Sequence, residues 1–354
     1  MLALCHDGTL WKWDWQISRS PFRVVPFLAG AGGASIAGNG QVVATLGWGL
    51  VSLWDTQSGA QRWTRFLTRG GLSVSVNHDG SMIAAADDES VYLLNGRDGR
   101  TEFVLNLSKV RRTCLEWSPL GREMLIGGGD GCLYRLRAEA DAEPELLCRV
   151  GKGVIQRLVV HPKGHVLAAG CDENRIALID LPTGAICAEI KGADHAAALS
   201  MAFSPDGEAL YTCGIGSDPT RWDIRTGRPV ASYRGAPGEL VAVCVHPDGT
   251  RIAAASNGTI LIWDSISAEE LLTLEGPIAP RALRFSSDGK SLLASGGDCA
   301  LVAYETGPPS CGFAARARAV RIRQIVDAVQ TNNVSEDAIE PPARPAPIWT
   351  TTPT

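Results

Sequence analysis

A short motif returns along the chain at a nearly constant interval. The final residues of its eight copies, four of which end in Trp-Asp, are Asp14, Asp55, Asn95, Arg137, Asp180, Asp223, Asp264 and Glu305. The copies are spaced about 40 residues apart, which is the length of one small supersecondary unit. The chain is therefore predicted to be a row of equal units that bury their faces against one another.

A turn glycine recurs in phase with this motif. The glycines are Gly40, Gly80, Gly121, Gly164, Gly207, Gly249 and Gly289. Two of these turns contain Pro-Asp-Gly, as Ser204-Pro-Asp-Gly207 and His246-Pro-Asp-Gly249. Glycine supplies the positive φ that a hairpin turn needs, and proline presets the φ before it. Each unit is therefore predicted to contain a tight turn between two strands.

The residues before each turn glycine alternate in character. The positions four and six residues earlier are always apolar, and they hold Ile36, Val76, Trp117, Val160, Phe203, Val245 and Phe285, then Ala34, Val74, Leu115, Leu158, Met201, Val243 and Leu283. The position between them is mixed, and it holds Ser35, Ser75, Glu116, Val159, Ala202, Cys244 and Arg284. A period of two is typical of a strand with one face in a core. A second strand, the Trp-Asp strand and a fourth strand follow in each unit.

Four short strands in about 40 residues are typical of one blade of a β-propeller. The Trp-Asp ends of the repeats, together with turns such as Phe203-Ser-Pro-Asp-Gly207, resemble the WD40 family specifically. The resemblance covers residues 1–307 and implies an all-β, WD40-type β-propeller. It also implies a module or scaffold that binds a protein or peptide partner.

Seven blades are favoured over eight. Residues 21–305 read as seven units of one outer strand and three inner strands, beginning at Pro21–Leu28, and residues 1–15 would then be a surplus strand pair or partial blade. An eighth blade would need a strand from the tail, but residues 308–330 have the spacing of a short amphipathic helix. Residues 331–354 are rich in Pro and Thr and are predicted to be disordered. The abrupt start is expected for a fragment of a longer array.

Composition narrows the location and the class of partner. The net charge of −5 gives no general attraction to nucleic acid or to a membrane surface. No stretch is apolar enough to span a membrane, and no export signal is visible. The ten cysteines include no C-x-x-C pair. We expect a cytoplasmic monomer with reduced cysteines that binds neither nucleic acid nor membrane.

The turn before the Trp-Asp strand carries an acidic or polar residue in most repeats. These residues are Asp7, Asp88, Asp130, Glu173, Asn257 and Asp298. In the WD40 family the equivalent Asp joins a hydrogen-bond network with the Trp, a Ser or Thr, and a His. Here the matching His195 belongs to the repeat that has Gly216 at the Asp position, so no repeat completes the network. The carboxylates are predicted to cap turns.

The face that carries these turns is predicted to bind the partner. The linkers into the innermost strands are mostly basic, and in WD40 proteins they open on the same face as the acidic turns. Interleaved charge suits a protein better than a phosphate backbone. Trp48 replaces the turn Asp in one repeat and would either contact the partner or fold over a neighbouring blade. The predicted partner-binding residues are Trp48, Arg69, Asp88, Arg112, Asp130, Glu173, His195, Asp218 and Asp298.

We predict no catalytic residues, no metal site and no cofactor, because paired carboxylates, a nucleophile elbow and a phosphate loop are all missing from the sequence. The alternative is a propeller enzyme, either quinone-dependent or hydrolytic. Its motivation is the segment 51–63, which also looks like the tryptophan-bearing repeat of quinone-dependent propellers. Only this repeat has the second tryptophan, Trp63.

Overall fold

The protein is represented by a computed structural model. It describes residues 2–4, 10–12, 31–47, 49–56, 60–67, 73–87, 90–106, 112–118, 123–139, 141–171, 175–191, 198–214, 216–236, 238–277, 279–296 and 301–305. The chain divides into two compact units, Met1–Pro309 and Ser310–Thr354, and every described residue belongs to the first. The helix predicted in 308–330 and the tail predicted at 331–354 lie outside the described residues. In the described ranges, no helix is long and apolar enough to cross a membrane.

Among the described residues, six antiparallel sheets have four strands each, and we call them blades 1 to 6. Blade 1 comprises β3 (Ala31–Ile36), β4 (Val42–Gly47), β5 (Leu50–Asp55) and β6 (Gln61–Phe66), and blade 2 comprises β7 (Ser73–Val76), β8 (Met82–Ala86), β9 (Ser90–Asn95) and β10 (Thr101–Asn106). Blade 3 comprises β11 (Arg112–Trp117), β12 (Glu123–Gly128), β13 (Cys132–Arg137) and β14 (Glu145–Arg149), and blade 4 comprises β15 (Ile155–Val160), β16 (Val166–Cys171), β17 (Arg175–Asp180) and β18 (Ile186–Lys191).

Blades 5 and 6 continue this order, and a smaller sheet follows them. Blade 5 comprises β19 (Ala198–Phe203), β20 (Ala209–Gly214), β21 (Ser217–Asp223) and β22 (Arg228–Ser232), and blade 6 comprises β23 (Ala242–Val245), β24 (Arg251–Ser256), β25 (Thr259–Asp264) and β26 (Glu270–Glu275). The last sheet has three described strands, β27 (Pro280–Phe285), β28 (Ser291–Gly296) and β29 (Leu301–Glu305). Near the start, β1 (Leu2–Leu4) pairs with β2 (Leu10–Lys12). The predicted outer strand Pro21–Leu28 lies outside the described residues.

The first strand of each sheet contacts the first strand of the next sheet. These contacts run from β3 through β7, β11, β15, β19, β23 and β27 and return to β3, so the inner strands surround a central channel. Such a ring is the architecture of a β-propeller, and it confirms the all-β fold that the repeats predicted. Most of the predicted core positions are buried, among them Ile36, Trp117 and Phe203. The alternation is not strict, because Val160 and Val245 are half-buried and Ser75 and Cys244, at the positions between core residues, are buried.

The core lies between the sheets. The cluster between blades 4 and 5, for example, contains Ile176 and Leu178 from one blade and Met201, Phe203 and Trp222 from the other. Each sheet therefore buries both of its faces, as expected for a unit that cannot bury its apolar residues alone.

The ring is joined where the last sheet meets blade 1. A guanidinium N–H of Arg284 donates to the backbone oxygen of Ile36 over 3.1 Å. The Ser287 hydroxyl donates to the backbone oxygen of Asn39 over 3.1 Å. Leu293 packs in one cluster with residues of blade 1. These contacts join residues 248 positions apart in the chain.

We call one edge of the ring the hairpin rim. Its described parts are the turns between first and second strands at 37–41, 77–81, 118, 161–165, 204–208, 246–250 and 286–290, and the turns between third and fourth strands at 56, 60, 96–100, 138–139, 141–144, 181–185, 224–227 and 265–269. The turn glycines have the positive φ that the sequence predicted, with +79° at Gly207 and +76° at Gly249. Gly207 also lies directly against the buried ring of His161, whereas a Cβ at Gly249 would meet only Pro205, at 3.8 Å.

This difference predicts unequal costs for two similar substitutions. Gly249→Ala should lower the free energy of unfolding by about 1 kcal/mol, because alanine is strained at positive φ. Gly207→Ala should cost about 3 kcal/mol, since it also displaces the hydrogen-bonded His161 ring. Urea unfolding of the two variants measures both values. Equal losses would contradict the close approach of His161 to Gly207.

Candidate functional site

The opposite edge of the ring is called the linker rim. Its described parts are the turns between second and third strands at 49, 87, 129–131, 216 and 257–258, and the linkers between sheets at 67, 150–154, 233–236, 238–241, 276–277 and 279. Backbone hydrogen bonds join the two sets. The Val150 N–H donates to the Gly131 oxygen over 2.8 Å, and the Gly276 N–H donates to the Gly258 oxygen over 2.9 Å. Turns and linkers therefore lie side by side, as the sequence predicted.

The structure describes three of the nine predicted partner-binding residues. Asp130 lies in the turn 129–131 of the linker rim. Arg112 is the first residue of β11, and only its backbone is described. Asp218, in β21, is half-buried, and its backbone oxygen accepts a hydrogen bond from the Thr220 hydroxyl over 3.2 Å. The other predictions, at Trp48, Arg69, Asp88, Glu173, His195 and Asp298, lie outside the described residues.

Asp130 caps its turn, as predicted. Its carboxylate accepts a hydrogen bond from the Cys132 backbone N–H over 3.0 Å and one from the Tyr134 hydroxyl over 2.8 Å. Burial works to raise the pKa of Asp130, but these hydrogen bonds outweigh it and hold the pKa below its usual value. Asp87 accepts from the Ser90 N–H and the Tyr92 hydroxyl in the same way. The linker rim thus carries an ionised, fixed carboxylate at Asp130.

Positive charges lie next to Asp130. A guanidinium N–H of Arg149 donates to the Asp130 backbone oxygen over 3.1 Å, and the neighbouring Lys152 is exposed. The guanidinium of Arg175 bonds the Val150 oxygen and forms a 3.0 Å ion pair with Glu189. The linker rim therefore presents both signs of charge on backbone that hydrogen bonds hold in place.

The tryptophans of the repeat motif have structural roles. The indole N–H of Trp54 donates to the Thr45 hydroxyl over 3.0 Å, and that of Trp222 donates to the Thr212 hydroxyl over 2.9 Å. These pairs correspond to the Trp and Thr members of the WD40 network, and the matching His195 lies outside the described residues. Trp63, which motivated the quinoprotein alternative, donates to the Gly96 oxygen over 3.0 Å and so links blade 1 to blade 2.

Three charged residues on the inner strands were not singled out from the sequence. Glu116 of β11 is within electrostatic reach of Arg157 on the neighbouring strand β15 and of Arg284 on β27, which is not a neighbour of β11 in the ring. All three side chains therefore face the central channel. Two of them could have been found in the sequence, because Glu116 and Arg284 are charged at a position where the other repeats have small or apolar residues. Among the described residues, no three His, Cys, Asp or Glu side chains come together to hold a metal ion.

Glu116 makes the stability of the fold depend on pH. Burial raises its pKa to about 7, although the charges of Arg284 and Arg157 oppose the shift. In the unfolded chain the pKa is about 4.3. Ionisation of Glu116 therefore destabilises the fold as the pH rises from about 4 to about 7, and the full cost remains above that range.

Glu116→Gln should remove this cost. We expect the variant to exceed the wild type in unfolding free energy by about 1 to 3 kcal/mol at about pH 8 and to match it at about pH 4. Urea unfolding at both pH values measures the difference, with Glu139→Gln as the control that removes an exposed carboxyl. A gain that is the same at both pH values would contradict the burial of Glu116 in the channel.

Comparison with known proteins gives matches over large parts of the ring. The family model described as "Outer membrane protein assembly factor BamB" matches residues 3–267. The uncharacterised WD repeat-containing protein sll1491 of Synechocystis is 29% identical over 145 residues, which are 40% of this chain and 41% of that protein. Protein groucho of Drosophila melanogaster is 25% identical over 151 residues, 41% of this chain and 20% of that protein.

A third relative is the WD repeat-containing protein SL1-17 of Schistosoma mansoni, which is 26% identical over 162 residues, 46% of this chain and 53% of that protein. The chain thus covers between 20 and 53% of these three relatives. Each of these relatives matches less than half of this chain, whereas the family model matches more than half of it. On that match and on the ring of blades, the chain belongs to the BamB-type propeller family (PQQ_2), and WD repeat proteins are its curated relatives.

Proposed function

We propose that this propeller is a non-catalytic module that binds a protein or peptide partner on its linker rim. The observation that carries the proposal is the hydrogen-bonded junction between the acidic turn 129–131 and the basic linker 150–154. Its hydrogen bonds fix the backbone that carries Asp130 and the exposed Lys152, so little backbone conformational entropy is lost on binding. Charges of both signs favour a partner with a complementary charge pattern.

Charge reversal on the linker rim tests this proposal. Lys152 and Arg281 are exposed on or next to the linkers, and Lys163 and Lys290 are exposed on the hairpin rim. The double variant Lys152→Glu/Arg281→Glu should lose partners captured by the wild type, with an affinity loss of about tenfold, or about 1.4 kcal/mol. Lys163→Glu/Lys290→Glu carries the same change in charge and should retain them. Affinity capture followed by binding titration of the captured partner measures both.

Two outcomes would contradict partner binding on the linker rim. In one, both double variants lose the partner equally, which would indicate a general charge effect. In the other, only the hairpin-rim variant loses it, which would place the interface on the opposite edge. Trp48→Ala, tested in parallel, reports whether that predicted residue contributes to the interface.

We also propose that the ring has seven blades and that the protein is a monomer. The support is the contact of β27 with β3 and the hydrogen bonds from Arg284 and Ser287 to blade 1. The segment Pro21–Leu28 would then supply the fourth strand next to β29. A closed ring has no open edge that favours self-association.

We propose a cytoplasmic location for the protein. Reduced cysteines suit a reducing compartment, and Cys132, Cys213 and Cys244 are free and buried in the structure. The family description names an outer membrane assembly factor. Cell fractionation with a periplasmic marker distinguishes the two locations.

The family match favours one second candidate, a quinone-dependent propeller enzyme. Equilibrium dialysis of the purified protein against a quinone cofactor and calcium tests it. Saturable binding at one quinone per chain would support the enzyme and count against the non-catalytic module.

A further inference from the structure

Two histidines occupy equivalent places on the hairpin rim. His161 begins the turn 161–165, and His246 begins the turn 246–250. Each has its Nε2 3.0 Å from the backbone oxygen of a turn glycine in the next sheet, Gly207 for His161 and Gly289 for His246. Both rings are buried. Each histidine therefore links its own sheet to the next one.

Each histidine ring also packs against a phenylalanine of the next sheet. The ring centroids of His161 and Phe203 are 5.1 Å apart, and those of His246 and Phe285 are 4.9 Å apart, both edge to face. The two contacts thus have the same geometry. We call the first the His161 clasp, between blades 4 and 5, and the second the His246 clasp, between blade 6 and the last sheet.

The His161 clasp requires a neutral imidazole. The backbone N–H of Lys163 donates to Nδ1 over 3.1 Å, so Nδ1 is an acceptor, and Nε2 carries the proton that is donated to Gly207. A second proton on Nδ1 would point at the Lys163 N–H. Protonation therefore breaks this hydrogen bond and forces the ring to move.

On balance, the surroundings of His161 also favour the neutral ring. Burial lowers the pKa of His161, and the nearby His165 and Lys163 lower it further, whereas the hydrogen bond to Gly207 and the charge of Asp206 raise it. Because the pKa falls on folding, the clasp contributes its full stability above about pH 6.5. That stability is lost as the pH falls through the lower pKa of the folded state.

The His246 clasp has an acidic residue where the first has a lysine. The carboxylate oxygen Oδ1 of Asp248 lies 2.6 Å from Nδ1 of His246. The backbone N–H of Asp248 also donates to Nδ1, over 3.3 Å, as that of Lys163 does in the His161 clasp. Here, however, Oδ1 of Asp248 offers an acceptor for a proton on Nδ1, so the protonated ring keeps a hydrogen-bond partner in place. Arg251 lies 3.6 Å from the other carboxylate oxygen of Asp248. The pKa of Asp248 is raised by burial but lowered more by hydrogen bonds from Thr250 and His246, which keeps the carboxylate ionised.

We propose that the His161 clasp is an acid-sensitive latch and that the His246 clasp is its acid-tolerant counterpart, so that mild acid loosens the junction of blades 4 and 5 first. The device would not depend on the partner-binding role, since it lies on the hairpin rim. Its consequence is a local opening at one of the junctions while the rest of the ring stays closed.

Hydrogen exchange at two turns tests the proposal. Protection of residues 204–208 should fall by about tenfold between about pH 7.5 and about pH 5, after correction for intrinsic exchange. Protection of residues 286–290 should change by less than about twofold. Lys163→Asp should preserve protection of 204–208 at the lower pH. Asp248→Lys should make 286–290 lose protection, and Lys152→Asp, on the linker rim, should change neither turn.

Ionisation of Glu116 destabilises the fold as the pH rises, which is opposite to the effect expected for His161. Because Glu116 is unchanged in all the variants, a comparison between variants at the same pH removes its contribution. Lys163 is exposed, so its replacement should not disturb folding. Equal losses of protection at both turns in the wild type would overturn the proposal. A loss at 204–208 that persists in Lys163→Asp would also overturn it.

Discussion

Replacement of Phe203 by alanine is expected to lower the free energy of unfolding by about 3 to 5 kcal/mol. The side chain is 8% exposed and lies between blades 4 and 5 with Met201, Leu210 and Trp222. Its ring also packs edge to face with the His161 ring. The substitution leaves a cavity in a close-packed interface between two sheets. Urea or thermal unfolding, followed by circular dichroism, measures the loss.

Phe66 provides the matched control for this substitution. It is 71% exposed at the end of β6. Phe66→Ala should change the unfolding free energy by about 0.5 kcal/mol or less, as surface substitutions usually do. A loss below about 1 kcal/mol for Phe203→Ala would mean that Phe203 is not part of the interface core.

Deletion of residues 1–28 is expected to produce an aggregating protein, whereas deletion of residues 1–15 should leave a cooperative monomer. Among the described strands, β29 pairs with β28 alone. If Pro21–Leu28 completes this sheet, the longer deletion exposes a strand edge, and an open edge pairs with other chains. The shorter deletion keeps that strand and should leave the seven sheets intact.

Size-exclusion profiles and thermal melts of the two truncated proteins provide the measurement. An eight-bladed ring predicts the opposite for the shorter deletion, because it removes two strands from inside the ring. If the protein without residues 1–15 aggregates as strongly as the one without residues 1–28, the seven-blade proposal is wrong.

The repeats were sufficient to predict the strands and most of their core positions. Alternation before each turn glycine placed Phe203 and Trp117 in the core, and both are buried. The glycine itself predicted the positive φ that is found at Gly207. These features could be predicted because they depend on neighbours within one repeat, where spacing and residue type determine local geometry.

Contacts between repeats were harder to predict. Nothing within the repeat of Glu116 shows that Arg284 faces it across the channel, since the two lie on strands that are not neighbours. In the same way, the His-Pro-Lys-Gly and His-Pro-Asp-Gly turns look alike as turn sequences. The chemical difference between the two turns appears only in the folded structure, where Lys163 lies beside the His161 ring and Asp248 lies beside the His246 ring.

Where the structure describes them in full, in blades 1, 2, 4, 5 and 6 and in the last sheet, the turns between first and second strands are all five residues long. Most described glycine contacts on this rim join one sheet to the next, as between Gly207 and His161, although Gly96 meets Gly80 and Ser81 of its own blade. The turns between third and fourth strands vary, from four residues at 224–227 to seven at 138–144. Insertions that arise during evolution, or tags added by design, are therefore best tolerated at 138–144, where the chain can lengthen without changing the angular spacing of the sheets.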